Sequence, residues 1–173
     1  MMRRLTPLVL ASALLTACSS DNSSGSSASS FECSFTGSLT GGVTGTITAN
    51  GCGTTSSESF TIAQADLGAG TSLGAKFVAA TALKGGELGA IPLARFEIFQ
   101  REGKGTTATS LVWSSTSCTL TLDKNEASPT SVFKNRFLLA GRGNCSAPLE
   151  PTAPNTRPAV TVSAFEMTAF IDP

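Results

Sequence analysis

The chain has 173 residues, with 12 basic and 12 acidic side chains, no histidine and no tyrosine. Balanced charge is not the footprint of a nucleic-acid binder, which would be strongly basic on at least one face. The lack of histidine excludes Ser-His and Cys-His nucleophile activation, the H-E-x-x-H zinc site and imidazole acid–base catalysis.

Arg3 and Arg4 form a short positive region, and residues 5–15 (LTPLVLASALL) form an apolar run. A spanning helix needs ~20 apolar residues, so the run reads as a signal peptide. The extended motif of twin-arginine signals is missing, so the arginines read as a plain n-region. The run ends in Leu15-Thr16-Ala17-Cys18. That ending resembles the lipobox of bacterial lipoproteins, and the resemblance covers residues 1–18. It implies a signal peptide over 1–17, cleavage before Cys18, diacylglyceryl on the Cys18 sulfur, and acylation such as palmitate on the new amino group. The implied partner is a membrane, reached through the lipid. In Gram-negative lipoproteins aspartate after the cysteine commonly retains the protein in the inner membrane. Ser19 there implies the outer membrane, with the periplasmic or surface face left open.

Residues 18–30 comprise the lipidated cysteine and the segment SSDNSSGSSASS, which offers no large apolar side chain to bury and reads as a flexible tether. Residues 31–173 read as a single β-rich globular domain. Four further cysteines, Cys33, Cys52, Cys118 and Cys145, are even in number and expected outside the cytoplasm, so two disulfides are predicted. A Cys₄ zinc site would use closely paired ligands, which these are not. Locality selects Cys33–Cys52 and Cys118–Cys145 among the three connectivities, because each pair brackets one predicted hairpin.

In chain order, Phe31, Cys33, Phe35, Gly37 and Leu39 alternate with polar residues, giving a strand with one buried face. Gly41-Gly42 predicts a turn and residues 43–49 the return strand. The matching faces set Phe35 opposite Ile47 and Cys33 opposite Ala49, and a bulge at Asn50-Gly51 would bring Cys52 into reach. Phe60 and Ile62 mark a third strand. Residues 75–83 read as a buried strand, with a short helix stopped by Gly85-Gly86 as the alternative. Residues 94–101 and 106–113 form a hairpin about Glu102-Gly103-Lys104-Gly105. Residues 118–122 and 133–141 form another, with Leu120 opposite Gly143 and Leu122 opposite Gly141. Residues 146–158 carry four prolines and read as an extended crossing loop. Residues 159–171 form a final strand whose apolar face shifts near Ala164, as a bulge would make it. Seven to nine short strands at this spacing predict an all-β fold, an antiparallel sandwich or open barrel with two disulfides.

Candidate sites are few. Gly103-Lys104-Gly105-Thr106 has phosphate-loop residues in the wrong order and reads as a hairpin turn. Asp123-x-Asn125 resembles the start of a calcium loop but lacks the remaining ligands and reads as a polar turn. Arg95, Glu97, Phe99 and Arg101 share a strand face. They make either a binding surface around an exposed Phe99 or, preferably, a solvated face with cross-strand charge pairs. Trp113 is either a stacking platform for a sugar or, preferably, core. Glu166 reads as solvent-facing. No catalytic residue, metal ligand or cofactor is assigned. The expectation is a lipid-anchored envelope protein with a non-catalytic interaction or structural role, bound to an envelope protein or a glycan. The alternatives are a carboxylate-based hydrolase such as a glycosidase, or an inhibitor of a secreted enzyme presenting the proline loop.

Overall fold

A computed structural model describes residues 33–63, 71–103, 108–128 and 136–173, all within the compact unit Phe31–Pro173. Residues 1–17, Cys18, the tether and Lys104, Gly105 and Thr106 of the suspected phosphate loop lie outside the described residues. Eleven strands run through the described segments, with no helix: β1 (Ser34–Gly41), β2 (Gly45–Asn50), β3 (Cys52–Thr55), β4 (Ser59–Ala63), β5 (Thr71–Ala79), β6 (Gly89–Glu102), β7 (Thr109–Ser115), β8 (Cys118–Ala127), β9 (Phe137–Cys145), β10 (Glu150–Thr152) and β11 (Val160–Ile171). The strands pair antiparallel in the order β2-β1-β11-β9-β8-β6-β5-β4-β3, and β7 and β10 extend from β6. The protein is all-β, an antiparallel sheet curled into a half-barrel, with two disulfides.

The curl is made by strands that change partners. β6 pairs with β8 through residues 89–92 and with β5 and β7 beyond them. Proline brings no N–H to a ladder, and Pro92 stands where the first pairing ends. Two residues on, Ala94 is left over between the pairs Ala79↔Leu93 and Val78↔Arg95, a bulge that bends the strand. The chain also passes from one half to the other between β2 and β3. Gly51 between them has φ 132°, a conformation that side chains other than glycine rarely adopt. We refer below to the half containing β2, β1, β11, β9 and β8 as sheet A, and to β3, β4, β5, the body of β6, β7 and β10 as sheet B.

Period-two alternation points phenylalanines from both halves inward. Phe35 and Phe165 come from sheet A, and Phe60, Phe77 and Phe96 from sheet B; all are at most 2% exposed. Their rings meet at centroid distances between 4.8 Å (Phe60–Phe77) and 6.2 Å (Phe35–Phe77), so the cluster joins the two halves. Trp113 belongs to the core: it is fully buried, and its Nε1–H donates to the Pro158 carbonyl at 2.8 Å.

Both cysteine pairs are as locality selects, Cys33–Cys52 and Cys118–Cys145. The second hairpin has the expected register, with Cys118↔Cys145, Leu120↔Gly143 and Leu122↔Gly141. The first does not. Phe35 pairs with Ala49 and Gly37 with Ile47, two residues away from the alignment on apolar faces. The loop is longer than a Gly41-Gly42 turn, running between Gly41 (φ 105°) and Gly45 (φ 117°). A shift of two preserves which face is buried, so alternation alone could not detect it. No bulge at Asn50 is needed. The Gly51 N–H donates to the Cys33 carbonyl at 2.8 Å, and Cys52 starts β3 beside it.

Other elements refine the reading. Residues 75–83 are strand only to Ala79, and Leu83 is buried in the loop that follows. The proline segment is not simply a loop. It contains β10, paired with β7, and Asn155 anchors it by donating from Nδ2 to the Val112 carbonyl at 3.0 Å. Its Arg157 pairs with Glu102 at 2.7 Å. The bulge in β11 is present: Gly37 faces Phe165 while Leu39 faces Val162, so Ser163 and Ala164 together oppose Ser38.

Candidate functional site

The outward face of sheet A is built from the residues that alternate with the core. On β1, Thr36 and Ser38 separate the inward Phe35, Gly37 and Leu39; on β8, Thr119 and Thr121 separate Cys118, Leu120 and Leu122. β11 runs between β1 and β9. Its bulge places Ser163 and Ala164, both small and exposed, where a regular strand would carry one outward residue. Small residues on the middle strand with longer ones beside it make a trough. A groove of about 670 Å³ lies there, with Ala164 and Glu166 from β11, Thr36 and Ser38 from β1, and Arg142 and Asn144 from β9 among its lining.

The polar groups stand in register across the strands. Glu166 is directly opposite Thr36 on one side and Arg142 on the other, and Arg142 is opposite Thr121. The Thr119 hydroxyl donates to Asn144 Oδ1 at 2.9 Å, which leaves the Asn144 amide donors directed elsewhere. A smaller adjoining hollow of about 280 Å³ shares Thr36, Arg142 and Glu166 and adds Asp123. Asp123 Oδ1 lies 3.5 Å from Arg142 Nη2, and both side chains are well exposed, so the pair orients the guanidinium more than it stabilises the fold.

Asp123 and Asn125 do not act together. Asp123 is a bulge residue between the pairs Leu122↔Gly141 and Lys124↔Ala140, and the bulge reverses the parity of β8. Asp123 faces out, while Asn125 is 4% exposed. The Asn125 Nδ2 group donates to the carbonyls of Lys84 and Glu87 at 2.8 and 2.9 Å, clasping the segment before β6. The calcium-loop reading fails on this opposition of faces, and so does the polar-turn reading, since both residues lie within β8. Asn125→Ala is expected to lower unfolding free energy by about 1–2 kcal/mol, and Asp123→Ala by less than about 0.5 kcal/mol. Equal effects in urea titrations would contradict the inward role of Asn125.

The outward face of sheet B is different. Arg95, Glu97, Phe99 and Arg101 do share it, but Phe99 is only half-exposed. It lies over Gly74, its partner across β5, where a Cβ would come within 2.3 Å of the ring. The glycine makes room for the ring, and Phe99 is packing rather than a free platform. Arg95 and Glu97 pair at 2.8 Å along one strand, not across strands. Glu166 is solvent-facing, as its sequence context suggests, and it lies in the groove. Among the described residues, no three acidic or cysteine side chains gather closely enough to hold a metal ion.

The groove residues Arg142, Asn144 and Thr119 drew no attention in the sequence. Outward polar residues on a strand look the same whether or not they border a trough. The available signal was the doubled small pair Ser163-Ala164 at a predicted bulge. Comparison with known proteins finds no matching family, no similar curated protein and no similar solved structure.

Proposed function

We propose that this protein is a lipid-anchored component of a bacterial cell envelope, tethered through Cys18, that works by binding through the outward groove of sheet A. The groove carries the reading. It is open, about 670 Å³, and lined by hydroxyl, amide, guanidinium and carboxylate groups, all but Thr46 on strands held by neighbours on both sides. Fixed polar groups on paired strands lose little entropy on binding. The two disulfides support a compartment outside the reducing cytoplasm. Leu15-Thr16-Ala17-Cys18 supports the anchor and Ser19 the outer membrane.

The anchor is tested by Cys18→Ser. The expected outcome is loss of lipid labelling and release from the membrane fraction; a variant still cut before residue 18 and still sedimenting with membranes overturns it. The binding role is tested in intact cells by a photo-crosslinking side chain at Ser38, with one at Lys76 on sheet B as control. Adducts confined to Ser38 are expected, and adducts from Lys76 alone contradict the reading.

A second reading, a carboxylate hydrolase, draws on one observation: Glu166 and Asp123 both border Arg142 in adjoining hollows. Cleavage of an oligosaccharide by the wild type and not by Glu166→Gln would establish it.

A further inference from the structure

We infer that the groove of sheet A takes a neutral, polyhydroxylated ligand, a short saccharide segment, with Glu166, Arg142 and Asn144 as its polar contacts; this rests on the binding reading above. Arg142 is the cation at the groove, and two carboxylates flank it, Asp123 at 3.5 Å and Glu166 on the adjacent strand. Their combined charge is negative by one, so an anionic ligand meets no net attraction. A protein partner is equally ill matched. Interface hot spots are mostly aromatic, arginine or large apolar side chains in dry pockets. Arg142 and Glu166 aside, the lining side chains are small hydroxyl and amide groups and the Ala164 methyl, and Phe165, which also borders the groove, is buried in the core. Among the described residues the large hydrophobic side chain left exposed is Leu88, which does not border the groove.

What remains is a mostly apolar floor bordered by alternating donors and acceptors. Glu166 only accepts, Arg142 only donates, Asn144 has amide donors left over, and the hydroxyls of Thr36, Ser38 and Thr121 do both. A sugar hydroxyl is likewise donor and acceptor. Vicinal hydroxyls can bridge Glu166 and Arg142, which stand directly across the strands from each other, through charge-assisted bonds. The C–H edges of a sugar ring suit the shallow methyl-lined floor that the Ser163-Ala164 bulge leaves. The volume falls in the range of small-molecule sites, and the open form lets a chain continue past either end.

The full chain is titrated with neutral tetrasaccharides of β-1,4-linked glucose, α-1,4-linked glucose and β-1,4-linked N-acetylglucosamine, with a galacturonic acid tetrasaccharide as the anionic counterpart. Binding is followed by ligand-observed NMR. At least one neutral probe is expected to bind, and more tightly than the anionic one. Glu166→Gln, which preserves shape, and Ala164→Trp, which fills the trough, are each expected to weaken it roughly tenfold or more. Lys76→Gln on sheet B leaves it unchanged, and thermal melting of all three variants stays at the wild-type value. Binding of the anionic probe alone, or binding insensitive to both groove variants, overturns the inference. If no neutral probe binds while the Ser38 photo-crosslinker still forms adducts in cells, the saccharide assignment falls and the binding reading stands. If Ser38 forms none either, both fall together.

Discussion

Phe77→Ala is expected to lower the unfolding free energy by about 3–5 kcal/mol, the range for deleting a buried phenylalanine. Phe77 is fully buried, and its ring contacts four others: Phe60 at 4.8 Å, Phe96 at 4.9 Å, Phe165 at 5.7 Å and Phe35 at 6.2 Å. These rings come from five strands in both halves of the barrel. The truncation therefore removes transfer energy and leaves a cavity whose walls cannot collapse without moving both halves. The lost ring pairs are part of that total. Domains of this size have roughly 5–15 kcal/mol in total, so the loss is a large share of the stability. In urea the midpoint should fall while the slope stays constant. A loss under about 1 kcal/mol would mean that this ring is not central to the core.

Reduction of both disulfides should cost more. Cys33–Cys52 closes a separation of 19 residues and Cys118–Cys145 one of 27, and the two loops do not overlap. In the chain-entropy model each bridge is worth about 3 to 3.5 kcal/mol, so about 6–7 kcal/mol is expected together. The two differ in what they hold. Cys118 and Cys145 sit opposite each other at the end of the β8–β9 ladder. Cys33 ties the start of β1 to the start of β3, across the place where the chain leaves sheet A for sheet B. Guanidinium titrations with and without a phosphine reductant measure the sum, and paired Cys→Ala variants separate the terms. If the Cys33/Cys52 variant loses nothing, the corner at Gly51 holds without its bridge.

The parts legible from sequence were those governed by local rules. Alternation around Phe35, Leu120 and Phe165 identified inward faces because those strands carry one clean apolar side. Locality selected both cysteine pairs. Trp113 was readable as core because a large ring with one donor needs both burial and a partner. The illegible parts depend on longer range or on parity changes. β3 and β10 have four and three residues, too few to show a period. Asn125 turned inward because of a one-residue bulge at Asp123, which no composition signals. The first hairpin slipped by two, a change invisible to alternation. The groove needs β1, β8, β9 and β11 side by side, and no window of sequence contains that neighbourhood.

The place of β1 in the strand order also constrains how the chain reaches this structure. β1 lies between β2 and β11, and the paired Ser34 and Thr168 are 134 residues apart. The hairpins β1–β2, β4–β5 and β8–β9 can form from local contacts as the chain is made. The aromatic core cannot, because Phe35 and Phe165 come from the first and last strands. Until residues 160–171 emerge, β1 holds one unsatisfied edge and Phe35 lacks a wall. Closing so long a loop is slow, since its entropy must be lost before the contacts reward it. A nascent chain thus carries an open strand edge through the synthesis of every later element, the condition under which β-proteins pair with the wrong neighbour.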